Sequence, residues 1–214
     1  TRLRMNLNKS DIIIIGEIKT AKKVLFWFHG YGSNNWSFEP TMKMINMQMN
    51  DEICIIMPNA PLIDDRRSWY PLPVSNDDGS ISENHVALEK AKSSINEFIN
   101  NFSLEEEQEV LIGGFSQGAA LSLSMLFNPF HNFSGCIALS GYMPSASYYK
   151  DLDICKCKIF IAHGFEDQAI SFSDYKKTYE FLKTKTDLIY SYTNNFGHTV
   201  TKEVHNKIIE WLAN

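Results

Sequence analysis

The hydrophobic positions of this chain fall into seven short runs rich in Ile, Val and Phe, several of them apolar for most of their length. Such runs are typical of strands that are buried on both faces of a parallel sheet. They cover residues 12–18, 24–29, 53–57, 110–115, 135–140, 158–163 and 188–193. Helical patterns alternate with them, so the sequence predicts an α/β fold: a mostly parallel central sheet with helices on both faces.

Three segments have the spacing of amphipathic helices, with apolar residues recurring at steps of three and four. They lie at residues 88–102, near 172–185 and from 200 to the C-terminus, where Trp211 is the last apolar position of its stripe. Upstream of the first segment, Ser80 and Glu83 have the spacing of a capping box.

Residues 58–82 form the longest stretch without periodicity and contain four prolines and Gly79. Loops of this length in compact domains are usually functional or disordered. This one carries Trp69, Tyr70 and Leu72, which a disordered segment rarely keeps. These three side chains either line a substrate groove or anchor the loop to the core, and the sequence leaves both interpretations open.

Composition narrows the class of protein. With 214 residues, 44% of them hydrophobic, and a net charge of −5, residues 1–214 are expected to form one domain, and nothing favours nucleic acid as a partner. The apolar run at 12–15 is too short for a signal-peptide core, and no run reaches the roughly 18 residues of a membrane span, so we expect no integral membrane association. The four cysteines lack the spacing of a zinc site, and we expect no metal, free thiols and a cytoplasmic location.

Gly114, Ser116 and Gly118 form a G-x-S-x-G motif between the apolar run that ends at Phe115 and another that begins at Ala119. The context is strand, sharp turn and helix, and a Cβ at position 114 or 118 would collide with neighbouring backbone. The motif predicts a nucleophile elbow that holds the Ser116 Oγ above the sheet. Alone, it would be better explained as a glycine-rich turn.

A serine hydrolase also needs a histidine to take the hydroxyl proton and a carboxylate to orient that histidine. Among six histidines, His198 lies on a loop between the last strand run and the final helix, at the sheet edge where ligands bind. Asp167 follows the run at 158–163 at the same edge, with Glu166 as its rival. The chain order Ser116, Asp167, His198 is that of α/β-hydrolases.

An oxyanion hole requires two main-chain N–H groups aimed at the developing alkoxide. Gln117, directly after the serine and at a helix N-terminus, is expected to supply one. The turn at residues 29–32 follows an earlier strand and is expected to supply the other, although by itself it is equally well explained as a plain strand-to-helix turn.

Together these motifs resemble the acyl-protein thioesterase and carboxylesterase family, the phospholipase/carboxylesterase group of α/β-hydrolases. The resemblance covers about residues 10–213. It rests on His29-Gly30-Tyr31-Gly32, Pro58-Asn59-Ala60-Pro61, Trp69-Tyr70, Gly113-Gly114-Phe115-Ser116-Gln117-Gly118-Ala119, Leu139-Ser140-Gly141-Tyr142, His163-Gly164-x-x-Asp167 and Gly197-His198.

The resemblance implies a serine esterase or thioesterase with a small or absent cap and no cofactor. It also implies Tyr31 and Gln117 as oxyanion donors. The chain departs from the family pattern at Ser33-Asn34 and at residues 168–171, which border the site. Acylated protein, lysophospholipid and small ester therefore stay open as substrates, and a monomer and a homodimer stay open as assemblies. A catalytically silent hydrolase-fold binding protein is the competing class, against which an intact triad argues. A dienelactone-hydrolase-like enzyme would usually carry a cysteine nucleophile.

Overall fold

The computed structural model describes residues 11–78 and 81–214. Its strands are β1 (Ile12–Ile15), β2 (Lys23–Phe28), β3 (Ile53–Pro58), β4 (Leu62–Ile63), β5 (Arg66–Arg67), β6 (Val74–Ser75), β7 (Ile81–Ser82), β8 (Glu109–Phe115), β9 (Gly135–Leu139), β10 (Lys158–Gly164) and β11 (Ile189–Asn194). Seven of them form the central sheet in the order β1-β3-β2-β8-β9-β10-β11. Only β1 runs antiparallel within that described sheet, so its carboxyl edge gathers the loops that follow β2, β8, β9, β10 and β11. The seven predicted strands are confirmed.

The helices are α1 (Glu39–Gln48), α2 (His85–Ile99), α3 (Gln117–Met125), α4 (Ala146–Tyr149), α5 (Phe172–Lys183) and α6 (Lys202–Ala213), with a 3-10 helix at Asn35–Phe38. Alternate side chains of β2 enter different cores. Val24 and Phe26 belong to a core that includes residues of α2, α3 and α5. Leu25 and Trp27 belong to a second core, which includes residues of α1 and α6. The sheet is therefore covered on both faces, as the apolar runs predict.

The start of α2 differs from the capping-box prediction. Ser80 lies outside the described residues, and the helix begins later, at His85. Its N-cap is Asn84, whose side chain accepts a hydrogen bond of 3.0 Å from the Ala87 N–H. The Glu83 carboxylate instead accepts a hydrogen bond from the main-chain N–H of Ser145.

The loop at 58–82 contains two small hairpins, β4 with β5 and β6 with β7. Strands of two residues are too short to produce a recognisable alternation, which is why the sequence does not reveal them. Helix α1 is also unforeseen. It buries Met42 and Ile45, but Met44 and Met47 are exposed and dilute its apolar stripe.

No helix in the described part of the chain is long and apolar enough to cross a membrane. The longest helix described, α2, has 15 residues and alternates buried and charged positions. A transmembrane helix requires about 20 consecutive apolar residues.

Candidate active site

Ser116 stands between β8 and α3 in a strained backbone conformation, with φ 56° and ψ −115°. Its N–H donates a 2.9 Å hydrogen bond to the Leu139 carbonyl of the neighbouring strand, and its carbonyl accepts one of 3.0 Å from Ala120. Such conformations persist only where the surroundings enforce them, and they cluster at functional sites. The serine is fixed at the carboxyl edge of the sheet.

The two glycines of the motif are required by close backbone contact. A Cβ on Gly118 would lie 2.0 Å from the Phe28 carbonyl oxygen, and a Cβ on Gly114 would lie 2.5 Å from the same atom. A Cβ on Gly30 would lie 3.3 Å from the Ser116 Cβ, so the turn after β2 passes beside the serine. The backbone contacts are as close as the sequence predicts, and only a residue without a Cβ leaves room for the sharp turn.

His198 and Asp167 are hydrogen-bonded, with 2.7 Å between Nδ1 and Oδ2. The other carboxylate oxygen of Asp167, Oδ1, accepts hydrogen bonds from the N–H groups of Ala169 at 2.9 Å and Ile170 at 2.8 Å. Asp167 is buried, whereas Glu166, the rival carboxylate, is exposed. The geometry places Asp167 and not Glu166 behind the histidine.

The loops that carry these two residues are joined directly to each other. The Glu166 N–H donates to the Phe196 carbonyl at 3.1 Å, and a Cβ on Gly164 would lie only 1.8 Å from that carbonyl oxygen. The His198 ring, 25% exposed, lies 4.7 Å between centroids from the Phe115 ring. Since Phe115 precedes Ser116, the pair lies beside the elbow.

Both expected oxyanion donors lie at the serine. Gln117 is the first residue of α3, so its N–H has no acceptor within the helix. No acceptor for the Tyr31 N–H is found among residues 11–78 and 81–214. The turn that carries Tyr31 is held by a Gly32 N–H donated at 2.7 Å to the Arg67 carbonyl, with Gly32 at φ 69°. These two main-chain N–H groups belong to residues that line the same cavity as Ser116.

A cavity of about 470 Å³ opens next to Ser116. Part of its lining is apolar, namely Leu72, Pro73, Met143, Ala146 and Ile170, and Tyr31 and Gln117 also line it. Charged side chains reach it as well: Glu83, Asp174 and Lys177. Asp174 and Lys177 form an exposed ion pair at 3.6 Å. The site therefore offers an apolar surface next to the nucleophile and charge on its solvent side.

The three residues considered for a substrate groove have different positions in the structure. Leu72 lines the cavity, but Trp69 and Tyr70 are buried and are not among the described lining residues. Trp69 Nε1–H donates to the His29 carbonyl at 2.8 Å. The Gln117 side chain holds both residues, accepting from Trp69 N–H at 3.1 Å and donating to the Tyr70 carbonyl at 2.7 Å. Trp69 and Tyr70 thus anchor their loop, the second of the two interpretations.

His29 is a buried, neutral histidine behind the oxyanion turn. Its Nε2 accepts the Ala60 N–H at 3.0 Å, so Nδ1 carries the proton and donates to the Gly30 carbonyl at 2.7 Å. Burial lowers the pKa of His29 from 6.5 to about 4. The ring is a structural support for the turn and has no free nitrogen for proton transfer.

Several cavity residues were not identified from the sequence as binding residues. Tyr142, Met143 and Ala146 follow β9, Ile170 follows β10, and Thr178 lies on α5. The rule that located Asp167, that ligands bind where parallel strands end, applies equally to the segment after β9. In the sequence that segment contributes Leu139-Ser140-Gly141-Tyr142 to the family resemblance, but no pattern that indicates binding.

No group of three His, Cys, Asp or Glu residues in the described ranges could hold a metal ion. All four cysteines, Cys54, Cys136, Cys155 and Cys157, are buried free thiols. Burial raises the pKa of the Cys54 thiol to about 11, which keeps it unreactive.

Comparison with known proteins agrees with this geometry. The profile of the phospholipase/carboxylesterase family matches residues 9–214. Acyl-protein thioesterase 1 of Candida albicans is 28% identical over 97% of this chain and 98% of its own length, and its namesake in Debaryomyces hansenii is 30% identical over 91% and 89%.

Among solved structures, acyl-protein thioesterase 2 of Zea mays superposes with a TM-score of 0.81, covering 94% of this chain and 97% of its own at 19% identity. The carboxylesterase of Bacillus cereus gives 0.77, with 94% and 92% covered at 18% identity. At these identities the structural likeness establishes the fold, and the family match extends over nearly the whole chain. This chain therefore belongs to the phospholipase/carboxylesterase family of α/β-hydrolases.

Proposed function

We propose that this protein hydrolyses carboxylic esters or thioesters through an acyl-enzyme on Ser116. The observation that carries the proposal is the hydrogen-bonded pair of His198 and Asp167, 2.7 Å apart, beside a serine held in a strained elbow. Each member comes from a different loop at the carboxyl edge of one sheet. A surface cluster without function has no reason to combine backbone strain, a buried carboxylate and an oriented imidazole.

The proposed mechanism is that of a serine hydrolase with these groups in its roles. His198 Nε2 takes the proton from the Ser116 hydroxyl while Oγ attacks the acyl carbonyl carbon, and Asp167 stabilises the imidazolium. The imidazolium then gives the proton to the leaving alkoxide or thiolate, leaving an ester on Ser116. Water, deprotonated by the same histidine, attacks this ester and releases the carboxylic acid and the free serine.

The main-chain N–H groups of Gln117 and Tyr31 donate hydrogen bonds to the oxyanion of the tetrahedral intermediate and stabilise its negative charge. These donors are fixed before substrate arrives, because α3 and the turn tied to Arg67 set their directions. Preorganised donors of this kind act only on the oxyanion and are a large source of rate enhancement in acyl transfer.

The apolar side of the cavity suits the hydrocarbon part of an acyl group, and the curated relatives are named as acyl-protein thioesterases. We therefore place a thioester first among substrates and a lysophospholipid second, since its ester would use the same machinery. A reducing, cytoplasmic location is proposed from the four free thiols. A binding protein without activity would have no use for the strained serine.

The experiment is a comparison of kcat/KM for p-nitrophenyl esters of increasing chain length, an acyl-CoA, an S-acylated peptide and a lysophospholipid. Ser116→Ala should abolish every activity. Ser93→Ala should change none, because it removes an exposed hydroxyl that binds within its own helix, α2, to the Glu89 carbonyl. A higher value for the thioesters than for the lysophospholipid supports the proposed order. Hydrolysis that survives in Ser116→Ala would remove the proposal.

A further inference from the structure

A second histidine faces the carboxylate of Asp167. His163, near the end of β10, has a side chain with 0% exposure, and its Nε2 lies 3.4 Å from Asp167 Oδ2. The same nitrogen lies 2.9 Å from the carbonyl oxygen of Ile170, within the loop that carries Asp167. His163 therefore touches both the carboxylate and the turn that positions it.

The protonation state of His163 follows from its partners. A carbonyl oxygen only accepts hydrogen bonds, so Nε2 carries a proton. Nδ1 is buried and has no hydrogen-bond partner in the part of the chain that the structure describes. Burial lowers the pKa of His163, although the nearby Asp167 and Asp174 oppose that shift. The ring is thus neutral, with Nε2–H as its single donor.

The ring is also fixed in place by aromatic packing from α5. Its centroid lies 5.2 Å from that of Tyr175 and 6.4 Å from that of Phe172. The charged and titratable groups facing it are Asp167, His198 and Asp174, with Tyr175 on the packed face. This neutral ring donates its Nε2–H to the Ile170 carbonyl, and the same nitrogen lies 3.4 Å from Asp167 Oδ2 without adding a charge.

Both oxygens of the Asp167 carboxylate therefore accept hydrogen bonds, and His163 Nε2 lies beside the second of them. Oδ1 takes two main-chain N–H groups, and Oδ2 faces both His198 Nδ1–H and His163 Nε2–H. We propose that His163 is a positioning residue of the hydrolytic site: its Nε2–H holds the Ile170 carbonyl, and with it the loop that binds Oδ1 of Asp167, and the N–H dipole beside Oδ2 reduces the negative charge that this oxygen presents to His198. This inference rests on the proposed function, because it requires that Asp167 act through His198.

His163→Phe removes the donor and keeps a buried ring. The carboxylate remains held through Oδ1, but Oδ2 then presents more charge to His198 and stabilises its imidazolium more strongly. The acidic limb of the kcat/KM profile should move to higher pH, by several tenths of a unit. We still expect kcat to fall about tenfold with little change in KM, because the Ile170 carbonyl loses its donor and the loop that orients Asp167 is held less well; that is the usual scale for one hydrogen bond.

Two conservative variants separate the donor from the ring. His163→Gln places an amide NH₂ near the position of Nε2 and should restore most of kcat and the parent profile. His163→Asn is one carbon shorter, so its amide ends near Nδ1 and should not. The control is His205→Phe. It removes a buried histidine of α6 that is hydrogen-bonded to Gln48 of α1 at 2.8 Å, and it should leave the pH profile unchanged.

The deciding measurement is a double-mutant cycle with Asp167→Asn, using pH profiles of p-nitrophenyl ester hydrolysis and melting temperatures for every variant. If His163 acts through the carboxylate, His163→Phe costs little further activity once Asp167 is Asn. An equal loss in both backgrounds, or a folded His163→Phe with parent kcat and parent profile, overturns the inference. If His163→Phe does not fold, the contrast between the Gln and Asn variants carries the test, and equal behaviour of those two overturns it. If Asp167→Asn alone is harmless, the proposed function itself has failed.

Discussion

The Oδ2 atom of Asp167 lies 2.7 Å from the Nδ1 atom of His198, although the two residues are 31 positions apart in the chain. The pair exists because the Glu166 N–H, on the loop after β10, donates a hydrogen bond to the Phe196 carbonyl on the loop after β11, and because Gly164 lets that carbonyl approach. Parallel pairing of these strands places both loops at one edge. The contact on which the proposed chemistry depends is therefore a consequence of strand order and one glycine.

Asp167→Asn should lower kcat by about 10⁴, the cost of losing the equivalent carboxylate in the serine-protease template. The amide favours the wrong histidine tautomer and no longer stabilises the imidazolium. Glu166→Gln is the matched control, since that side chain is exposed and its main chain alone binds Phe196. Steady-state kinetics on a p-nitrophenyl ester measures both, and equal modest losses would mean that Asp167 is not the catalytic carboxylate.

Tyr31 is expected to contribute its main-chain N–H and not its phenol. Tyr31→Leu should keep most activity on short esters, whereas Tyr31→Pro removes the donor and should cost about 10²–10³ in kcat. Both variants need melting temperatures close to that of the parent, because proline fixes φ. Equal turnover in two well-folded variants would place the second oxyanion donor outside the turn at residues 29–32.

His29 should make the fold sensitive to acid. Its pKa is lowered by burial from 6.5 to about 4, so the folded state binds fewer protons than the unfolded state between these values. The stability from the neutral ring is complete above pH 6.5 and is lost as the pH falls towards 4, by about 2–3 kcal/mol. Urea unfolding at pH 7 and pH 4.5 measures the drop in the free energy of unfolding. We expect this drop to be smaller in His29→Gln than in the parent by about the same 2–3 kcal/mol, and an equal drop in both would contradict the lowered pKa.

Gly118→Ala should destabilise the protein by about 3 kcal/mol or more, because the new Cβ would lie 2.0 Å from the Phe28 carbonyl oxygen. Gly197→Ala is the matched control: its Cβ would come no closer than 3.8 Å to the Glu166 carbonyl oxygen. Thermal unfolding of both variants checks the difference. A Gly118→Ala variant as stable as Gly197→Ala would show that the elbow does not need the glycine for space.

The sheet could be predicted from the sequence because its strands are buried on both faces, as in β3, where every residue is buried. The positions of Ser116, Asp167 and His198 followed because each comes directly after a strand of that sheet. Helix α1 could not be predicted with the same ease, since exposed Met44 and Met47 weaken its periodicity.

The cavity was less accessible to sequence reasoning than the triad. Trp69 and Tyr70 are aromatic residues of the kind that often line binding grooves. In the structure they are buried, and the Gln117 side chain is hydrogen-bonded to both. The contact between His163 and Asp167 could not be predicted either, because their spacing in the sequence indicates only a strand end and a loop. Side-chain contacts of this kind depend on packing against α5, which no local pattern encodes.

The central claim is that Ser116 is the nucleophile, and labelling with a fluorophosphonate probe followed by peptide mass spectrometry tests it most directly. The strained elbow and the adjacent His198–Asp167 pair predict one covalent adduct, on Ser116, with labelling lost in a folded Ser116→Ala variant and retained in Ser93→Ala. Labelling that persists in a folded Ser116→Ala variant, or an adduct on another residue, would contradict the account.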